Sequence, residues 1–149
     1  MSAGAASALV LRSSTEWVLL GAGLFFLWAL ALGVWKYRQM AAAEDGLAHP
    51  YVDTAHRAAL LYSFATLLLA VFVELSGWSE GVNLAAALAV LVFFAGVIAG
   101  YAYHGFRRDT TNQFVDPVRG LHAYMWALIV VEIAGTAVLV AGFVDARLL

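Results

Sequence analysis

Apolar residues run through this chain in four long blocks separated by short polar segments, and each block is long enough to cross a hydrocarbon core of about 30 Å as a helix of roughly 20 residues. The pattern predicts helices over residues 16–37, 57–78, 83–104 and 121–144, which together use most of the 149 residues. The expected fold is therefore all-α, an integral membrane four-helix bundle in a single transmembrane domain, 1–149, with no room for a soluble domain. The first block is read as a retained helix and not a cleaved leader, because its apolar core is long and Lys36 and Arg38 follow it. Ser13-Ser-Thr-Glu16 suits a capping box at its start.

The polar connections add detail. Ser76-Gly-Trp-Ser-Glu-Gly81 is short, which makes the second and third helices antiparallel neighbours. His49-Pro50 breaks any helix before it, and Asp53 or Thr54 is placed to cap the second one. Asp116-Pro117 fits an N-cap followed by a first-turn proline for the fourth. Lys36, Arg38, Arg57, Arg107, Arg108 and Arg119 flank two connections, against Arg12 and Arg147 on the other side. The positive-inside rule then puts both termini outside the cytoplasm, and a bacterial inner membrane is the expected location.

Composition agrees with a bilayer: 64 % of residues are hydrophobic and 12 % charged, with a mean hydropathy of +0.86. Cysteine is absent, which excludes disulfides and thiolate metal sites. A net charge of -2 with no basic run argues against nucleic acid as a partner. No serine-nucleophile, phosphate-loop, HExxH or paired-cysteine motif occurs, so hydrolytic and nucleotide chemistry lack support.

The chemistry gathers at one border. The stretch Tyr101-Ala-Tyr-His-Gly-Phe-Arg-Arg108 closes the third helix, and His49, His56, His104 and His122 all fall on the same predicted side. Neutral imidazole ligates metals and haem iron, while interfacial histidines are often only solvated. On the second helix His56, Ser63 and Glu74 share a face with Ala59 and Ala70, and a polar stripe of that kind should face the bundle, not lipid. Tyr62 lies to one side of it. Glu132, mid-span on the fourth helix, must be buried, protonated or paired. Arg57, Arg107 and Arg108 are either ordinary cytoplasmic-side cations or partners for the carboxylates of a bound cofactor. Gly96 and Gly100, with Ala85 and Ala89, suit close helix packing, and the same residues could instead leave room for a flat cofactor.

Ala55-His56, the tyrosines ending helix three and Asn112-Gln113-Phe114 resemble styrene oxide isomerase over roughly residues 49–114. The resemblance implies a four-helix trimer with haem b between protomers, bound through His56 as axial iron ligand. The ferric iron would act as a Lewis acid on the epoxide oxygen of a small hydrophobic substrate, and a 1,2-shift would give the aldehyde. Tyr101 or Tyr103 would position that oxygen. Tyr62 stands where the family has an asparagine, and Arg57-Ala58 where it has Ser-Gly. His104 and Arg107 would meet the haem propionates or shape the rim. Two other readings use the same outline. In one, a haem- or quinone-carrying electron-transfer or accessory subunit uses His56 with His104 or His122 as two axial ligands. The other is similarity to trimeric glutathione-dependent membrane transferases, whose Arg-Asn-acidic pattern is missing after Arg57.

Overall fold

The computed structural model describes residues 10–115 and 117–149. Four helices, α1 (Ser13–Ala42), α2 (Pro50–Leu75), α3 (Glu80–Arg107) and α4 (Leu121–Arg147), make up an all-α bundle. Each is long and apolar enough to cross a membrane. At 30 residues α1 is about 45 Å long. That exceeds a hydrocarbon core of about 30 Å, and the polar residues Lys36, Arg38 and Gln39 fall in its last turns.

The helix ends differ from the sequence expectation because tertiary partners set them. α1 starts at Ser13 with Arg12 as its N-cap and no side-chain capping bond, so the Ser13–Glu16 box does not form. Carboxylates from neighbouring helices replace it. Arg12 N–H donates to Glu74 Oε2 at 3.2 Å and Ser14 N–H to Glu80 Oε2 at 2.9 Å. Negative charge at a helix start is favourable, since the first turn presents unpaired N–H groups and the positive end of the dipole.

α2 begins a turn or more earlier than expected, with Pro50 in its first turn and His49, not Asp53 or Thr54, as its cap. Asp53 instead pairs with Lys36 of α1 and with Arg57 one turn on. α4 begins at Leu121 after Gly120, whose φ of 93° suits glycine, so Pro117 stands ahead of the helix. Asp116 lies outside the described residues.

The core is built mainly by three helices: Phe25, Ala29 and Leu32 of α1, Ala55, Ala59 and Leu69 of α2, and Val90, Phe94 and Ile98 of α3. α4 contributes Leu139 alone to that cluster. α2 and α3 form the middle of the bundle, α1 packs on one flank and α4 on the other. Among the described residues α1 and α4 do not touch. That layout decides which functional groups can meet.

Candidate functional site

The polar stripe of α2 faces α1, as a membrane helix requires. Ala59, Ser63 and Ala70 on that face are buried, and Glu74 at its far end accepts from Thr15 Oγ1 at 2.6 Å. At the near end His56 Nδ1 lies 2.9 Å from the Ala29 carbonyl oxygen. A carbonyl only accepts, so Nδ1 carries the proton, and the neutral ring keeps its lone pair on Nε2. Gly33, one turn beyond Ala29, makes room for the ring: a Cβ there would stand 2.9 Å from His56 Cε1.

On the other flank a cavity of about 110 Å³ opens between α2, α3 and α4, lined by Tyr62, Gly96, Gly100, Tyr101, Gln113 and Tyr124 among others. Tyr62 is held flat against Phe94, with ring centroids 4.0 Å apart and planes 6° from parallel. Gly96 makes space for a side chain, since a Cβ there would lie 2.6 Å from Tyr124 Oη. Nothing crowds Gly100. Neither glycine brings two backbones together; the close approach of α3 and α4 is at Gly135, where a Cβ would stand 3.0 Å from the Ala86 carbonyl oxygen.

Met125 and Leu128 line the same cavity. Glu132 follows them on one face of α4, at spacings of seven and four residues. Its Oε1 is buried without a hydrogen-bond partner among the described residues. An unsatisfied carboxyl oxygen in an apolar span is costly and marks a place where a ligand, a water or a proton is accommodated.

The cavity is roofed by the α3–α4 connection. Gln113 N–H donates to Tyr51 Oη at 2.7 Å, which ties the connection to the first turn of α2. The buried Tyr51 ring stacks on Tyr101 at 5.7 Å and leans on His104 at 5.3 Å. His104 Nδ1 in turn bonds Asp109 at 2.9 Å, and that bond holds the Asp109 carboxyl below its usual range. Tyr51, Gln113 and Tyr124, to which the sequence assigns no role, thus join the sequence candidates Tyr62 and Tyr101 at this site. The only sequence signal for Tyr51 is its position beside the His49-Pro50 break.

The remaining candidates are placed apart. Tyr103 is 57 % exposed and points away from the cavity lining. Arg57 is exposed two turns into α2, Arg107 is exposed at the end of α3, and His122 is exposed near Phe114, with ring centroids 6.4 Å apart. His49 and His104 flank Tyr51, whereas His56 faces α1. The four histidines do not converge within one chain, and among the described residues no group of three or more His, Asp or Glu side chains is arranged to hold a metal ion. His56 and Tyr62 leave α2 about 120° apart, towards opposite flanks. Comparison with protein-family models, curated proteins and solved structures finds no match.

Proposed function

We propose that this chain is a membrane haem b protein, with His56 as the axial ligand, that isomerises a small hydrophobic epoxide to a carbonyl compound in the manner of styrene oxide isomerase. The observation that carries the reading is the His56 ring, fixed by its Nδ1–H to the Ala29 carbonyl at 2.9 Å. Histidines that ligate metals usually donate their other ring nitrogen to a carbonyl or carboxylate in this way, which fixes the tautomer and leaves Nε2 as the ligating atom. Gly33 leaves room for the imidazole ring, and Arg107, exposed at the end of α3, is the cation suited to a propionate.

Haem b bound there supplies a Lewis acid for the epoxide oxygen, with no net redox change. The chain supplies the rest. The hydroxyls of Tyr62, Tyr101 and Tyr124 offer donors to a substrate oxygen, and the apolar walls from Val97, Met125 and Leu128 keep water from the reacting carbon. A volume of about 110 Å³ is of the order of the ~150 Å³ apolar cavity that admits benzene. Tyr103, outside that lining, serves the same reaction only from another copy of the chain.

His56 and the tyrosines occupy opposite flanks, so a joint site needs a second copy. We assign it to the boundary between protomers of a homo-oligomer, a trimer on the resemblance, in a bacterial inner membrane with both termini non-cytoplasmic. The test is an absorption spectrum of the detergent-purified full chain from haem-supplied cells, oxidised and then reduced. A Soret band lost in His56→Ala, followed by conversion of an epoxide panel to carbonyl products, is the expected result. No Soret band overturns the reading. A low-spin spectrum with two axial histidines overturns its isomerase part and favours electron transfer.

A further inference from the structure

A wide opening away from the tyrosine cavity plays no part in that chemistry. A groove of about 830 Å³ runs between the last turns of α1 and the start of α2, and Arg38, Arg108, His49 and Trp35 line it. We propose that this groove binds the phosphodiester headgroup of an anionic glycerophospholipid.

Charge is the first argument. Lys36 and Arg57, at the same end of the bundle, are already paired with Asp53. Arg38 and Arg108 have no carboxylate partner among the described residues, and both line the groove. Its one carboxylate, Asp45, accepts from Leu47 N–H at 3.0 Å. Two guanidiniums against one carboxylate leave a positive excess that suits a singly charged phosphodiester, and the guanidinium fork matches phosphate oxygens.

The second argument is backbone placement. Arg108, a non-glycine residue, has a positive φ of 52°, and its N–H closes α3 on the His104 carbonyl at 2.8 Å. Glycine or asparagine is the usual occupant of such a cap. Keeping an arginine there directs a cation at the groove. The opposite wall is fixed by Gln39 Oε1, which accepts the His49 N–H at 2.9 Å.

Depth and polarity point to a lipid. The groove lies on the last turns of α1, where the apolar run gives way to Lys36, Arg38 and Gln39, the pattern of a helix end at headgroup level, where indoles such as Trp35 collect. Ala42, Ala43 and Leu47 give it an apolar side next to the arginines. Glycerol and the first acyl carbons would cover that side, which a free phosphate would leave bare. Basic pockets at the ends of membrane helices bind anionic headgroups on this principle. The inference does not depend on what His56 carries.

The test uses the full chain in neutral detergent, with native mass spectrometry and thermal unfolding after adding phosphatidylglycerol, phosphatidylcholine or inorganic phosphate. Phosphatidylglycerol should bind the wild type about tenfold more tightly than phosphatidylcholine, the scale of one charge-assisted bond, and raise the melting temperature. The Arg38→Gln/Arg108→Gln variant should lose the preference, whereas Arg119→Gln keeps it. Arg38→Gln alone leaves the α3 cap untouched and keeps the test decisive if the double variant unfolds. Equal binding of the two lipids, or a preference that survives in the variants, overturns the proposal. Equal stabilisation by inorganic phosphate overturns the lipid as the source of the anion.

Discussion

The two ends of the bundle are built differently. At the end holding the α2–α3 turn, the turn is bonded to α4: Gly77 N–H donates to the Gly142 carbonyl at 2.8 Å, and the Trp78 indole Nε1–H to the Val138 carbonyl at 2.8 Å. Arg12 Nη1 reaches the Ser76 carbonyl at 2.8 Å, and Glu74 and Glu80 close the start of α1. At the other end the connections are longer, openings of about 830, 190 and 110 Å³ lie between elements, and the histidines and most arginines gather. The bonded end carries an opening too, of about 220 Å³ beside Leu11, Thr15, Ala70 and Glu74, so the two ends differ in how their elements are tied together and in which polar groups they hold.

That contrast predicts its own largest break. Gly142 packs directly beneath the turn, and a Cβ there would collide with Ser76 Oγ and the Trp78 ring. Gly142→Leu should cost about 3 kcal/mol, the upper range for overpacking a filled site. It should appear as a large drop in melting temperature in detergent, while Gly100→Leu, which meets open space at the other end, should unfold near the wild type. Equal destabilisation by the two substitutions would remove the distinction between the ends.

The open end should yield to a smaller change. Tyr51→Phe keeps the ring stacked on Tyr101 and His104 but removes the acceptor for Gln113 N–H. The loss of one hydrogen bond is about 1 kcal/mol. Its effect should be local: amide exchange at Gln113 and its neighbours speeds up roughly fivefold, and global melting hardly moves. Unchanged exchange would show that Tyr51 does not hold the roof of the tyrosine cavity.

How far these features were legible in the sequence follows from what kind of group makes them. The four spans are plain, because twenty apolar residues in a row have few other uses. The stripe of His56, Ser63 and Glu74 was legible because helical periodicity places side chains without knowledge of partners. Its bonding was not, since the Ala29 carbonyl that fixes His56 is a backbone group and leaves no trace in residue type. The same holds for α1, where Glu74 and Glu80, some sixty residues away, do what the local Ser13–Glu16 box was expected to do. Tyr124 was hidden in the first turn of α4, beside His122 and Trp126, where a cavity-lining tyrosine looks like an interfacial anchor. Above all, a linear pattern does not say which helices touch. Only the packing shows α1 and α4 on opposite flanks, and with them His56 and the tyrosines.

The smallest effect tests how far water reaches into the open end. Burial, and then the charge of Arg108, push the His49 imidazole below its ordinary value of 6.5, with Asp109 opposing. Its Nδ1 accepts Tyr51 N–H at 3.3 Å as the cap of α2, and a protonated ring loses that acceptor. Because the folded value is depressed, the stabilisation is complete above about pH 6.5 and is lost as pH falls through the folded value. Asp109, lowered first by its bond to His104, adds a second loss of the same sign as pH falls from 3.8 through its own folded value. Titration of His49 followed by NMR should give a midpoint below 6.5, and Arg108→Gln should move it up by removing the opposing charge. A midpoint at or above 6.5 would mean that the groove is as wet as bulk solvent. The apolar side that distinguishes a lipid site from a free-anion site would then be lost as well.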